Sequence, residues 1–408
     1  NKFSYATYEK VGTLLSSNDL KDEDGKSISI DEYSFNSDET KVLIVTEQES
    51  IYRRSSKSFY YIYDLKTKKT SPLSAKKEGK QRLAEISPAG THVAFVRDND
   101  LFCKNLETNK ETRVTRNGEL NKIINGATDW VYEEEFSIHK GFEWNSNGSK
   151  IAFLVFDESK VKEFHLDYYG KLYPREYRFK YPKAGEDNSK ISVSIYDIWS
   201  LETKPVLIDD KEEYYIPRIK WTKDFNKLCI TKLNRLQNKI ELLMVNCEEK
   251  SAQKVTEYTE KAFYTETAKT YIDIHDNLTF FEDNNTYLWM SEKDGYNHIY
   301  LNTIDGKENQ ITKGNWDVIE IQGVDEKNGL IYYLSAETNA TQQELFVIKT
   351  DGTGKKKLST RKGHNSTSFS NGMKYYINYH SDANTPSFIS LHKANGEQIK
   401  VLEDNNAL

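Results

Sequence analysis

Apolar and polar positions along this chain fall into a phrase that recurs. A short, partly apolar run leads into a polar turn opened by Ser or Asn, and a second, almost wholly apolar run follows. The clearest copies occupy residues 33–45, 84–96 and 142–154. Weaker ones begin near Ile219, Leu278, Ile319 and Ser366. Runs of this length rich in β-branched and aromatic residues predict strands. Ser, Asn, Asp and Gly between them predict tight turns, with Gly supplying positive φ where the turn demands it. The phrase continues into a second hairpin, clearest at residues 100–115 and 300–312. Each unit is therefore four antiparallel strands, roughly 40–60 residues long, the repeat of a propeller blade. Seven units are legible, and residues 5–16 read as the tail of another. The predicted fold is all-β: an eight-bladed β-propeller of four-stranded antiparallel blades, the first incomplete in this chain. A large β-sandwich with accidental turn similarity is the competing architecture. A sandwich has no need to repeat one strand–turn–strand phrase so many times.

Two stretches break the period. Residues 123–135 lie between the second and third clear units. Residues 157–189 carry many charges and a dense set of tyrosines, and predict either a solvated hairpin arm or a functional loop.

Composition then narrows the picture. A chain of 408 residues suggests two or three domains by length alone, and the repeat reduces this to one, spanning 1–408. Lys and Arg total 57 against 63 Asp and Glu, mixed along the chain, for a net charge of −6. That excludes the basic face of a nucleic-acid-binding domain. The longest apolar runs, such as 151–156, are strand-sized, far short of the ~20 residues of a transmembrane helix. Three cysteines are too few for a disulfide framework, and a Cys229–Cys247 pairing stays open. No Cys/His spacing suits zinc, so neither metal nor cofactor is expected. The chain opens at Asn1 with no signal-peptide pattern, which suggests a processed or trimmed piece.

Candidate chemistry concentrates at Asp129-Trp130-Val131-Tyr132-Glu133-Glu134-Glu135. Asp129 can cap a short helix. Three consecutive carboxylates repel unless a cation compensates them. On a helix they splay by about 100° per residue, so two neighbours can bracket one cation. A primary ammonium, compact with three donors, fits that arrangement. A solvated acidic turn is the alternative, but Trp130, Tyr132 and Phe136 imply a turn packed in place. A second cluster, Tyr52-Arg53-Arg54, follows a predicted strand at 41–46. Arginine's fork suits a carboxylate or a peptide carbonyl, but periodicity does not connect Arg53 with the acidic run, which lies in another blade.

With these residues the chain resembles the N-terminal propeller domain of dipeptidyl peptidase IV and its bacterial relatives, in the prolyl oligopeptidase family of serine exopeptidases. The phrase from Asn125 to Glu135 is the most specific carrier. Residues 62–65, 181–185, 294–300, 311–316 and 401–408 match in order. The resemblance implies a propeller capping an α/β-hydrolase domain, in an enzyme that releases Xaa-Pro or Xaa-Ala dipeptides from a free N-terminus. It implies that Glu134 and Glu135 hold the substrate ammonium and that Arg53 contacts the substrate backbone and the acidic pair. It gives Glu133 no ligand role, and places Tyr271 only loosely at the outer subsite. The arm at 165–181 resembles the element through which family members form homodimers. Periplasmic or extracellular placement follows from the family alone.

The family's nucleophile lies in a Gly-x-Ser-x-Gly elbow, and no such motif occurs in these 408 residues. The expectation is that this chain gates substrate and recognises the N-terminus while the hydrolase domain of the same polypeptide performs catalysis, so that these residues alone are inactive. A stand-alone propeller acting as a protein-binding scaffold, or the propeller of a tripeptidyl peptidase, remain the alternatives.

Overall fold

A computed structural model describes residues 1–408 apart from Glu23, Asp210 and 249–255. The fold is an all-β propeller domain whose strands group into blade-sized antiparallel sheets. The chain divides into two compact units, Ser16–Ile274 and Asn1–Leu15 with His275–Leu408.

In the first unit, sheet A runs Glu32–Phe35, Lys41–Ser50, Ser56–Asp64, Lys69–Pro72 and sheet B runs Arg82–Ile86, His92–Arg97, Asp100–Asn105, Glu111–Arg113. Sheet C contains Phe142–Trp144, Lys150–Asp157, Lys190–Asp197 and Thr203–Leu207. Sheet D contains Tyr214–Trp221, Lys227–Asn234, Lys239–Asn246 and Tyr258–Thr267. C and D are joined edge to edge, because Val206 and Leu207 pair in parallel with Tyr258 and Thr259. In the second unit the weaker copies are the hairpins opening three four-stranded sheets, at Thr279–Phe280, Val318–Asp325 and His364–Phe369. Lys2–Phe3 and Lys10–Gly12 form a separate two-stranded ribbon, where the sequence predicted the remnant of a blade.

The wholly apolar second runs become the second strands, buried on both faces because each blade is covered by its neighbours. Leu43, Val45, Tyr60 and Ile62 of sheet A interlock with Val93, Phe95 and Phe102 of sheet B. Indole donors tie the blades at their first strands. Trp144 Nε1 donates to the Glu85 carbonyl at 3.4 Å, and Trp221 Nε1 to the Glu143 carbonyl at 3.0 Å. The turn phrase uses one geometry throughout. Gly90 and Gly148 occupy its left-handed position at φ +69° and +71°, and in the copy at 33–45 Glu39 takes it at +54°. The first copy therefore carries the steric cost that Gly avoids in the other two.

All three thiols, Cys103, Cys229 and Cys247, are free and buried, so Cys229 and Cys247 do not pair. Burial pushes Cys103 and Cys247 up to about 12, which keeps both thiols protonated and inert. Among the described residues no helix is long and apolar enough to cross a membrane.

Both interruptions of the period fall in sheet C. The first does not lie between units, as the sequence suggested, but inside the opening strand of this blade. Ile123–Asn125 pairs with Asp157–Val155, and Phe142–Trp144 pairs with Phe153–Ile151 of the same second strand. Residues 126–141 loop out between them. The neck is made of two glycines, Gly141 N–H donating to the Gly126 carbonyl at 3.1 Å. A Cβ on Gly141 would stand 2.9 Å from the Ala127 carbonyl oxygen, so the strands can close only because that position is bare. The second interruption is a hairpin, Glu163–Tyr168 against Arg175–Lys180, rising from the next connection of the blade.

Candidate recognition site for a cationic group

The looped-out segment carries helix α1, Trp130–Glu135. Six residues cannot hold a helix in water by themselves, and its glutamates at the C-terminal end oppose the helix dipole. Tertiary ties hold it instead. Asp129 is the N-cap: its Oδ1 accepts the Tyr132 N–H at 3.0 Å and its Oδ2 the Ser189 hydroxyl at 2.6 Å. The buried Tyr132 hydroxyl accepts the Ile216 N–H of sheet D at 2.9 Å. Arg218 donates to the Phe136 carbonyl at 2.9 Å. Tyr132 packs edge-on against Phe136 and Phe156, and Trp130 lies against Tyr181 at the base of the hairpin, 4.3 Å between ring centres. The aromatic residues flanking the acidic run are thus its mounting.

The three glutamates point to three environments, as a 100° step requires. Glu133 is fully buried. Its Oε1 accepts the backbone N–H groups of Arg54 and Ser55 at 2.5 and 2.8 Å, and its Oε2 has no hydrogen-bond partner among the described residues. Glu134, whose side chain is 19% exposed, is held by Arg53 Nε at 3.2 Å. Glu135 is exposed. Arg53 rides on the turn joining Lys41–Ser50 to Ser56–Asp64 in sheet A, and its side chain is 73% exposed. The structure thus joins Arg53 to the acidic run across two blades, a link that periodicity could not supply.

Tyr271 is half-exposed. Burial, then the charges of Asp273 and Glu135, raise its phenol above the usual range. This places Glu135 and Tyr271 within electrostatic reach of one another. Among the described residues no cluster of three or more metal-ligating side chains occurs.

Several groups that build the site give no local signal in the sequence. Ser189 reaches α1 from the connection before Lys190–Asp197, and Ile216 and Arg218 reach it from sheet D. Arg82 is half-buried and feels the Glu133 charge, and its buried Nε has no hydrogen-bond partner among the described residues. Glu158 is only 6% exposed. Burial, with the nearby Asp129 and Asp157 charges, pushes its carboxyl from 4.5 up to about 7.

Glu158 carries a pH prediction. The folded chain holds this proton more tightly than the unfolded one, so its contribution is complete below pH 4.5. It declines as pH rises towards about 7 and is gone above it. Glu158→Gln keeps the neutral form at every pH. At pH 8 the variant should be more stable than wild type by up to ~3 kcal/mol, and at pH 4.5 the two should unfold together. Thermal unfolding of both proteins at the two pH values measures this; a gap that is the same at both would exclude it.

Residues 36–387 match the family described as the dipeptidyl peptidase IV (DPP IV) N-terminal region. A dipeptidyl peptidase 4 of Trichophyton tonsurans is 30% identical over 395 residues, covering 92% of this chain and 50% of its own. A probable dipeptidyl-aminopeptidase B of Phaeosphaeria nodorum is 30% identical over 397 residues, covering 90% of this chain and 43% of its own. The crystal structure of Porphyromonas gingivalis dipeptidyl peptidase 4 superposes with a TM-score of 0.91 at 38% identity, over 99% of this chain and 56% of that one. A putative dipeptidyl aminopeptidase IV from Bacteroides ovatus shares the fold at a TM-score of 0.78 and 22% identity. The chain spans about half the length of the curated relatives it matches. By sequence and by fold, it belongs to the family of dipeptidyl peptidase IV N-terminal regions.

Proposed function

We propose that this chain is the N-terminus-recognising propeller of a serine dipeptidyl peptidase that releases Xaa-Pro and Xaa-Ala dipeptides. The observation that carries this reading is the pairing of Arg53 with Glu134 beside the exposed Glu135 on one fixed helical turn. An α-ammonium brings three donors, and the two carboxylates take it from two sides. Arg53 spends its Nε on Glu134, which leaves its other N–H groups for a carbonyl of the bound peptide. Anchoring the amine fixes how far along the peptide the scissile bond lies, so the site measures two residues. Acyl transfer we assign to the half of the dipeptidyl peptidase relatives that this chain does not match. The hairpin at 163–180, whose turn exposes Tyr169, Leu172 and Tyr173, we take as the contact with a second copy. We place the protein in the periplasm or outside the cell, as the family resemblance implies.

Calorimetry on the purified chain tests the reading. Ala-Pro with a free amine should bind at least tenfold more tightly than N-acetyl-Ala-Pro, since acetylation removes the charge that the carboxylates were placed to meet. Equal affinity for the two peptides would remove the ammonium role. The same preparation should leave a Gly-Pro chromogenic substrate intact.

A further inference from the structure

Glu133 is the member of the acidic run that cannot meet a ligand, since it is fully buried. What it touches is the turn that carries Arg53. Its Oε1 accepts two successive backbone N–H groups, those of Arg54 and Ser55. Within its own sheet that turn is closed by Ile51 N–H donating to the Ser55 carbonyl at 2.8 Å. Arg53 is mostly exposed and is not held by packing. The direction in which its guanidinium leaves the backbone therefore depends on where residues 54 and 55 are fixed. Arg82 is half-buried, and Glu133 is the foremost charge acting on it.

We propose that Glu133 is a positioning residue for the ammonium site: by accepting the Arg54 and Ser55 N–H groups it locks the Arg53 turn onto α1 and sets the reach of Arg53 to Glu134. This rests on the reading of Glu134 and Glu135 as ammonium ligands. The run of three glutamates then divides its labour. The first fixes the cationic turn from beneath, the second pairs with that turn's arginine, and the third faces the ligand. A carboxylate is suited to the first task because charge-assisted acceptance of two N–H groups is stronger than any neutral side chain offers.

A double-mutant cycle tests it, with free-amine Ala-Pro and N-acetyl-Ala-Pro as probes on the full chain. Glu133→Ala should weaken free-amine binding about tenfold, matching Arg53→Ala, and should weaken N-acetyl binding by a smaller factor, the same in both variants, through the lost Arg53–carbonyl contact. In the Arg53→Ala background it should add less than twofold, because its effect passes through Arg53. Glu133→Gln retains an acceptor oxygen and should recover binding to within about threefold of wild type. A full additive loss in the Arg53→Ala background, or wild-type affinity in Glu133→Ala, overturns the proposal. A readout on the unmutated chain covers the case in which the alanine variant does not fold. Free-amine Ala-Pro should slow hydrogen exchange at the Arg54 and Ser55 amides and N-acetyl-Ala-Pro should not; no slowing with the free amine overturns the coupling. If wild type does not distinguish the two peptides, the ammonium reading fails. If it does and the cycle is additive, only the role of Glu133 fails.

Discussion

If the proposed ammonium site operates in a peptidase that carries this propeller, Glu134→Gln and Glu135→Gln should each lower kcat/KM for a free-amine Xaa-Pro substrate by on the order of 100-fold. Removing one partner of a fully buried ion pair costs about 3–5 kcal/mol, or roughly 10²–10³-fold. Neither carboxylate here is fully buried, and solvent screening places the loss at the lower end of that range. The loss should divide unequally. Glu134 also restrains Arg53, so its removal should disturb two of the groups proposed to meet the peptide. Glu135 is exposed and presents one. Steady-state kinetics on the two variants, with an N-blocked substrate as control, measures both effects. Wild-type rates in both would withdraw the site.

Tyr132→Ala should destabilise the mounting of α1 by about 3–5 kcal/mol, the range for deleting a buried aromatic ring. The ring is 2% exposed and meets Phe136, Phe156 and Tyr215. Its hydroxyl is also the acceptor for the Ile216 N–H. Tyr132→Phe isolates that second contribution. It keeps the packing, leaves a buried N–H without a partner, and should cost about 1–3 kcal/mol. Urea unfolding of the two variants separates the terms. If the phenylalanine variant were as unstable as the alanine one, the ring contacts would not be what seats the helix.

The sequence announced the blades because each strand–turn–strand phrase is local. The turn at 145–148 and the apolar run after it specify one another within a dozen residues, and they do so again at 87–96. It announced α1 for the same reason, since Asp129 lies next to the turn it caps. Joining Arg53 to Glu134, or Ser189 to Asp129, depends on where separate strands are brought together by folding. Neither residue of such a pair carries a mark of the other. From sequence alone the insertion in sheet C falls between two units rather than inside a strand. Ile123–Asn125 looks like the end of one unit, and only its pairing with Val155–Asp157 makes it the beginning of the next. Tyr271 rests on a loose resemblance alone, and no repeat phrase or turn motif marks it.

The glycine neck gives sheet C an indifference to what it carries. Asn125 pairs with Val155 and Phe142 with Phe153, so to the sheet residues 126–141 are a detour in a strand that resumes almost where it stopped. The entropy of closing such a detour rises only slowly with its length. Helix α1 is therefore a cartridge. Its length, charge and tilt can change under selection, or be exchanged by an engineer, while the blade beneath keeps its register.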